Sequence, residues 1–276
     1  MVNIGQYNTL KVVKHVDFGA YLDGGDGLEI LIPAKYIENP LSVGDEIKVF
    51  VYKDSENRLI ATTERPYATV NSFAFLQVKS VSNVGAFLDW GVLKDLLVPF
   101  REQKVKMREG GVYPVYIYLD HTTQRIVASA KFEKFIGNRI PEYKHGDSVK
   151  VTLYQHTDIG YKGVVDNLFF GMLYDNELYR TVELGVEIEA YVKQIRPDGK
   201  IDLTLSGETA GRIELLSKAI LKYIKESEGH SEITDSSSPE EIKRVFNCSK
   251  KDYKKALGLL YKQHKIRITP SEITLQ

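Results

Sequence analysis

The stretch Asp17-Phe18-Gly19-Ala20-Tyr21-Leu22-Asp23 returns, at an offset of 66 residues, as Asn83-Val84-Gly85-Ala86-Phe87-Leu88-Asp89. The same offset carries Pro33 to Pro99, Gly44 to Gly110, Val49 to Val115 and Asp54 to Asp120. A weaker third copy, at an offset of 141, pairs Gly19 with Gly160, Gly44 with Gly185 and Val51 with Val192. Constant offsets mean one supersecondary unit used three times. In the first copy, residues 10–13 lead into the signature and residues 28–33 make a short apolar run. Residues 47–52 alternate behind the turn Val43-Gly44-Asp45-Glu46, and residues 58–62 follow Asp54-Ser55-Glu56-Asn57. About five short strands with Gly and Asp punctuation and no helical period result. A unit of that size predicts a small closed barrel, because an open antiparallel sheet would leave unpaired edges. The second copy spans residues 73–132. The third spans 146–206, with a longer connection expected around 166–170.

Beyond Ser206 the period changes. Ile213, Leu216, Ala219, Ile220, Tyr223 and Ile224 fall at helical spacing, and the polar segment 226–238 ends that helix, with Ile233 read in a short strand. Ser238-Pro239-Glu240-Glu241 reads as a capping box with proline at the first helical position. Ser249, with Asp252 three residues on, caps another helix whose Tyr253, Ala256, Leu257, Leu260 and Tyr261 form a buried stripe. Residues 266–268, the turn Pro270-Ser271 and residues 273–275 read as a terminal hairpin. Helix, short strand, helix, helix, hairpin is the order of a winged helix-turn-helix. The fold class expected is therefore mainly β with a C-terminal α+β domain. Its four domains are three OB-type barrels over 1–66, 67–141 and 142–208, and a winged helix over 209–276.

The 276 residues are 43% apolar and 27% charged, an ordinary globular composition. A single cysteine, Cys248, excludes an internal disulfide framework and suits a reducing compartment. No secretory leader is expected from residues 1–7, and no apolar run approaches a membrane span. The expected location is the cytoplasm. The net charge of zero hides alternation. Residues 1–66 carry 7 basic and 10 acidic groups, 67–141 carry 10 and 6, 142–208 carry 7 and 12, and 209–276 carry 13 and 9. Two of the four segments are thus net cationic and suited to attract an anionic polymer.

The signature, the apolar strand, the Gly-Asp turn and Arg58-Leu59-Ile60-Ala61-Thr62 together resemble the S-one RNA-binding domain. That module is the OB-fold repeat of the largest small-subunit ribosomal protein. Arg125-Ile126-Val127-Ala128-Ser129 and Lys200-Ile201-Asp202-Leu203-Thr204 take the same place in copies two and three. Three such modules followed by a winged helix resemble the bacterial conserved virulence factor B family, over nearly the whole chain. The resemblance implies RNA binding, post-transcriptional control of gene expression and no catalytic activity. It also implies an RNA contact for Phe18, which Val84 and Ile159 do not match. The histidine common in that family at the end of the third strand is replaced by Ile32 and Val98, while Tyr174 keeps a ring.

The residues carry their own reading. Strand alternation sends Ala20 and Leu22 into a narrow barrel and Tyr21 outward, and places Phe87 likewise, with Trp90 next in line. An outward aromatic on an OB strand stacks a base; covering a loop or an inter-domain seam is the plainer role. In copy three Tyr161-Lys162 replaces the Ala-aromatic pair. Arg58, Arg125 and Lys200 are candidates to hold phosphates or to stack. On the last helix Lys251, Lys255 and Lys262 share one exposed face, and Arg267 opens the hairpin; these supply salt-dependent phosphate affinity.

Asp23-Gly24-Gly25-Asp26-Gly27 lacks the Lys-Ser/Thr of a phosphate loop and the ligand spacing of an EF-hand, so it is read as a strand-to-strand turn. No cofactor or metal is expected: the histidines show no metal spacing and Cys248 has no CxxC partner. The expected partner is single-stranded RNA, with the ribosome or RNA-processing machinery as a setting. Duplex DNA read by the winged helix, a protein-interaction scaffold and a hydrolase assembled in space remain alternatives. Against the duplex DNA reading, base-reading arginine and asparagine are scarce on the lysine face.

Overall fold

The computed structural model describes residues 2–178, 181–205 and 209–276, with residues 209–212 described by backbone alone. The expected end of the third copy at Ser206 and the expected boundary at residue 208 lie outside the described residues. Two compact units result, the first ending at Phe135 and the second beginning at Ile136.

The first unit holds two barrels. One comprises β1 (Gln6–Val16), β2 (Gly19–Asp23), β3 (Glu29–Pro33), β4 (Glu46–Lys53) and β5 (Leu59–Thr62). The other comprises β6 (Ser72–Val81), β7 (Gly85–Asp89), β8 (Leu96–Pro99), β9 (Val112–Leu119) and β10 (Ile126–Ser129). The second unit holds a third barrel of β11 (Ser148–Thr157), β12 (Gly160–Val165), β13 (Phe169–Tyr174), β14 (Glu187–Ile195) and β15 (Ile201–Thr204). All three close in one order, written for the first as β1-β2-β3-β5-β4, with the third and fifth strands parallel.

The repeated glycine is dictated by this closure. A Cβ at Gly19 would sit 2.1 Å from the Ile32 carbonyl oxygen, at Gly85 2.2 Å from that of Val98, and at Gly160 2.3 Å from that of Leu173. Only glycine lets the second strand begin so close to the end of the third. Ala20 and Leu22 are fully buried, as are Ala86 and Leu88. Each first strand is irregular at the same place, between Val12 and Lys14, Val78 and Ser80, and Leu153 and Gln155. An extra residue there bends the strand enough to serve two neighbours of a small barrel.

Two expectations are corrected. The connection at 166–170 is the tightest of the three: Asp166 and Asn167, at φ 48 and 62, turn the chain while the Leu168 N–H donates to the Val165 oxygen (2.9 Å). Asp and Asn tolerate that left-handed geometry, so a three-residue connection, 166–168, replaces the expected longer loop. Tyr174 pairs with Gly160 as Pro33 pairs with Gly19 and Pro99 with Gly85. It therefore stands one position beyond Ile32 and Val98, whose true counterpart is the buried Leu173.

The winged helix comprises α1 (Thr209–Glu226), β16 (His230–Ser231), α2 (Pro239–Phe246), α3 (Lys250–Lys262), β17 (Ile266–Ile268) and β18 (Ile273–Leu275). The Ser238 Oγ accepts from the Glu241 N–H (3.2 Å) and the Ser249 Oγ from the Asp252 N–H (3.1 Å), which starts α2 and α3 where the capping pattern placed them. Tyr253, Ala256, Leu257 and Leu260 pack with Leu216, Ile220 and Ile224 of α1 in one core. Ile233 joins that core but lies just past the short strand rather than in it.

Candidate nucleic-acid interface

On each barrel the second, third and fifth strands turn one row of side chains outward. Register fixes the row: Tyr21 opposite Leu31, and Leu31 beside Ile60, in the first barrel. In the second it is Phe87, Leu97 and Val127. Tyr21 with Leu31, and Phe87 with Leu97, stay half-buried and offer an apolar surface on which a base can lie, whereas Val127 is buried and Ile60 packs on the core shared by the two barrels. Sequence reasoning found Tyr21 and Phe87 but missed Leu31 and Leu97. Their signal was the outward phase of Leu31 between the buried Ile30 and Ile32.

In the first barrel Tyr21 is half-buried, with the Lys14 ammonium 4.8 Å from its ring centroid and Phe18 58% exposed beside the strand. Arg58 lies near this face, but its guanidinium is already committed. It makes two bonds to Asp54 (2.9 and 2.8 Å) and one ion pair to Glu56 (2.7 Å) while 67% exposed. With Nε and Nη2 both on Asp54 Oδ2 and Nη1 on Glu56, little of its fork is left for a phosphate.

Trp90 is the clearest correction among the candidate site residues. It is 2% exposed, meets the Phe50 ring edge-on at 5.5 Å, and donates its Nε1–H to the Lys94 oxygen (2.5 Å). Phe50 and Tyr52 of the first barrel belong with it to a core shared by both barrels. No base can reach that ring; the seam role applies. Phe87 is half-buried and Arg125 exposed, and both line a groove of about 320 Å³ that the two barrels enclose.

The third barrel carries the same row with different chemistry. Lys162, Met172 and Asp202 stand where the others have Tyr or Phe, Leu, and Ile or Val. The buried Asp202 carboxylate receives Arg196 Nε (2.6 Å) and Gln194 Nε2 (2.6 Å), and the Tyr174 hydroxyl joins the same network and also takes an Arg196 N–H. Tyr174 is thus held by internal bonds. Lys200 pairs with Asp198 (2.7 Å). The row thus ends in a buried carboxylate tied to Arg196 where the others have an apolar side chain, so the face does not repeat their apolar patch.

On the winged helix, Lys251, Lys255, Lys262 and Arg267 are all exposed. Lys254 faces Asp235 at 3.7 Å, and Lys250 donates to the Ser236 and Ser237 oxygens, so these two are tied to the loop before α2. Cys248 is buried, and burial together with Asp252 pushes its thiol up to about 12. Among the described residues no group of three or more His, Cys, Asp and Glu is placed to hold a metal, and no helix is long and apolar enough to cross a membrane.

The S1 domain model matches residues 4–64 and again 72–131, the two barrels of the first unit, and the CvfB-like winged helix domain model matches residues 218–275. The chain thus carries two S1 domains and a CvfB-like winged helix domain, and it is similar over nearly its whole length to proteins named conserved virulence factor B. Conserved virulence factor B of Staphylococcus haemolyticus is 26% identical over 281 residues, covering 99% of this chain and 94% of that one. The uncharacterized protein YitL of Bacillus subtilis is 27% identical over 271 residues, covering 95% and 90%. A solved multidomain protein with nucleic acid binding domains from Streptococcus pneumoniae aligns over 99% of this chain and 98% of its own, at 23% identity and a TM-score of 0.42. S1 domains and winged helices are nucleic-acid-binding domains and not enzyme families. The S1 matches lie in the first two barrels and not in the third, whose row carries Asp202.

Proposed function

We propose that this chain is a non-enzymatic RNA-binding protein of the cytoplasm, acting in post-transcriptional control of gene expression. Single-stranded RNA is the ligand, and the ribosome or RNA-processing machinery is the setting. The observation that carries this reading is the outward pair Phe87 and Leu97 on adjacent strands, with Arg125 exposed nearby along the same groove. Bases would stack on Phe87 and on Tyr21, with Phe18 flanking, while Arg125 meets the backbone. Lys251, Lys255, Lys262 and Arg267 would add phosphate contacts from the winged helix, and Arg58 and Lys200 are secondary because each is ion-paired. The modules are read at 1–66, 67–141, 142–208 and 209–276, with the third a spacer rather than a binding barrel.

Binding of the full chain to short fluorescent single-stranded RNA and to duplex DNA, each at two salt concentrations, tests this. Tighter, salt-sensitive RNA binding that weakens in Tyr21→Ala and Phe87→Ala supports it. Preferred binding to the duplex would refute it and assign the function to the winged helix as a transcription regulator. Binding to neither would leave a protein-interaction scaffold.

A further inference from the structure

The groove between the first two barrels holds more positive charge than folding requires. Lys94, from the loop before β8, crosses to the first barrel and donates to the Lys53 and Asp54 backbone oxygens (2.9 and 2.7 Å), which spends two of its three donors. Lys53 and Arg125 line the same groove. Burial, and then the nearby Arg125 and Lys53 charges, lower the Lys94 pKa against the pull of Asp54. The acids at hand are engaged elsewhere: Asp54 by Arg58 (2.8 Å) and Asp95 by Lys79 (2.9 Å). Three cations gathered around one opening repel each other, and an anion between them relieves that repulsion. The apolar wall beside them is Phe87 and Leu97. A ring beside a cationic pocket fits the two halves of a nucleotide.

We propose that this groove is an anion site shared by two barrels, seating one phosphate of a bound strand between Lys53 and Arg125 with Lys94 behind it. The inference rests on the RNA reading, and adds that Lys53, a residue of the first barrel, completes the binding face of the second. The two S1 domains of the first unit then act as one composite site, with no separate footprint for each.

Trp90 is the single tryptophan and lies against this groove, so its emission reports occupancy. The full chain, Lys53→Ala and a control Lys48→Ala, whose ammonium lies 5.2 Å from the Tyr7 ring centroid, are titrated with adenosine 5′-monophosphate, with adenosine and with short single-stranded RNA. Far-UV circular dichroism establishes that each variant is folded. The expected result is a saturable emission change with the monophosphate and none with adenosine. Lys53→Ala then weakens RNA binding about fivefold at 0.1 M salt and flattens the logarithmic salt slope by about 0.7, the effect of one phosphate contact on a single strand. Lys48→Ala changes neither. RNA binding by Lys53→Ala at wild-type affinity and slope overturns the anion site and leaves the RNA reading standing. A monophosphate response that Lys53→Ala abolishes, in a chain that binds no RNA, upholds the anion site and removes the RNA reading. No response to either ligand removes both.

Discussion

Phe87 and Trp90 are three residues apart, and the structure assigns them opposite duties, so exchanging one effect for the other is a sharp test. Phe87 is half-buried with its ring on the outward row, while Trp90 is sealed against Phe50 with its indole N–H on the Lys94 oxygen. Phe87→Ala removes a stacking ring worth about 1–3 kcal/mol per base, which lowers RNA affinity roughly 5- to 160-fold. Its folding cost is about 1–2 kcal/mol, because only part of the ring is covered. Trp90→Phe keeps an aromatic core but strands the Lys94 carbonyl, about 1 kcal/mol, and leaves unfilled volume worth about 1–2 kcal/mol more. For a unit of this size that sum lowers the first unit's melting temperature by roughly 6–12 °C. The assay pairs fluorescence anisotropy of a labelled single-stranded RNA with thermal melts followed by far-UV circular dichroism. Phe87→Ala should move mainly the first readout and Trp90→Phe mainly the second. Loss of RNA binding in Trp90→Phe with an unchanged melt would falsify the assignment of Trp90 to the seam.

Other expectations follow the same logic. Gly85→Ala drives a Cβ to within 2.2 Å of the Val98 carbonyl and should destabilise the first unit by about 1–3 kcal/mol, read from the midpoint of chemical denaturation. Asp202→Ala strands Arg196, whose side chain is 29% exposed, and should cost the second unit about 2–3 kcal/mol, somewhat below the cost of breaking a wholly buried pair; an unchanged midpoint refutes the network. Changing Lys251, Lys255 and Lys262 together to Ala should flatten the salt slope of RNA binding by about 2, and an unaltered slope removes the winged helix from the binding surface. Cys248 should resist alkylation at pH 8 until the chain is unfolded. Because burial raises the folded thiol from an ordinary 9.0 to about 12, its contribution to stability is intact below pH 9 and is lost as pH climbs from 9 towards 12. Native-state labelling at the rate of a free thiol would show the helical core to be open there.

The repeat made the barrels legible because closure constrains residues that sit close together in sequence. A glycine that must pass a carbonyl, an Ala-x-Leu pair that must point inward and a Gly-Asp turn are local demands, and the chain states them three times. The winged helix was equally legible, since Ser238 and Ser249 announce helix starts and the stripe from Tyr253 to Tyr261 declares a face that is buried except at Tyr261, which is exposed. The outward aromatics Tyr21 and Phe87 followed from strand alternation alone. The length of the third barrel's hairpin was misread because Asp166-Asn167-Leu168 can turn the chain in three residues, a conformational choice that the surrounding strands decide.

What the sequence determined, then, is the unit, its count and the phase of its strands. Tertiary structure decided which outward residue remains outward. Trp90 is aromatic like a stacking ring but shares the inward phase of Ala86 and Leu88, and it is Phe50 of the first barrel, distant in sequence, that covers it. Arg58 reads as a phosphate ligand until Asp54 and Glu56 close on it. Lys53 and Lys94 stand 41 residues apart, and only the docking of one barrel on the next brings their charges to one groove. Burial and electrostatic coupling depend on distance in space, which a repeat pattern along the chain does not encode.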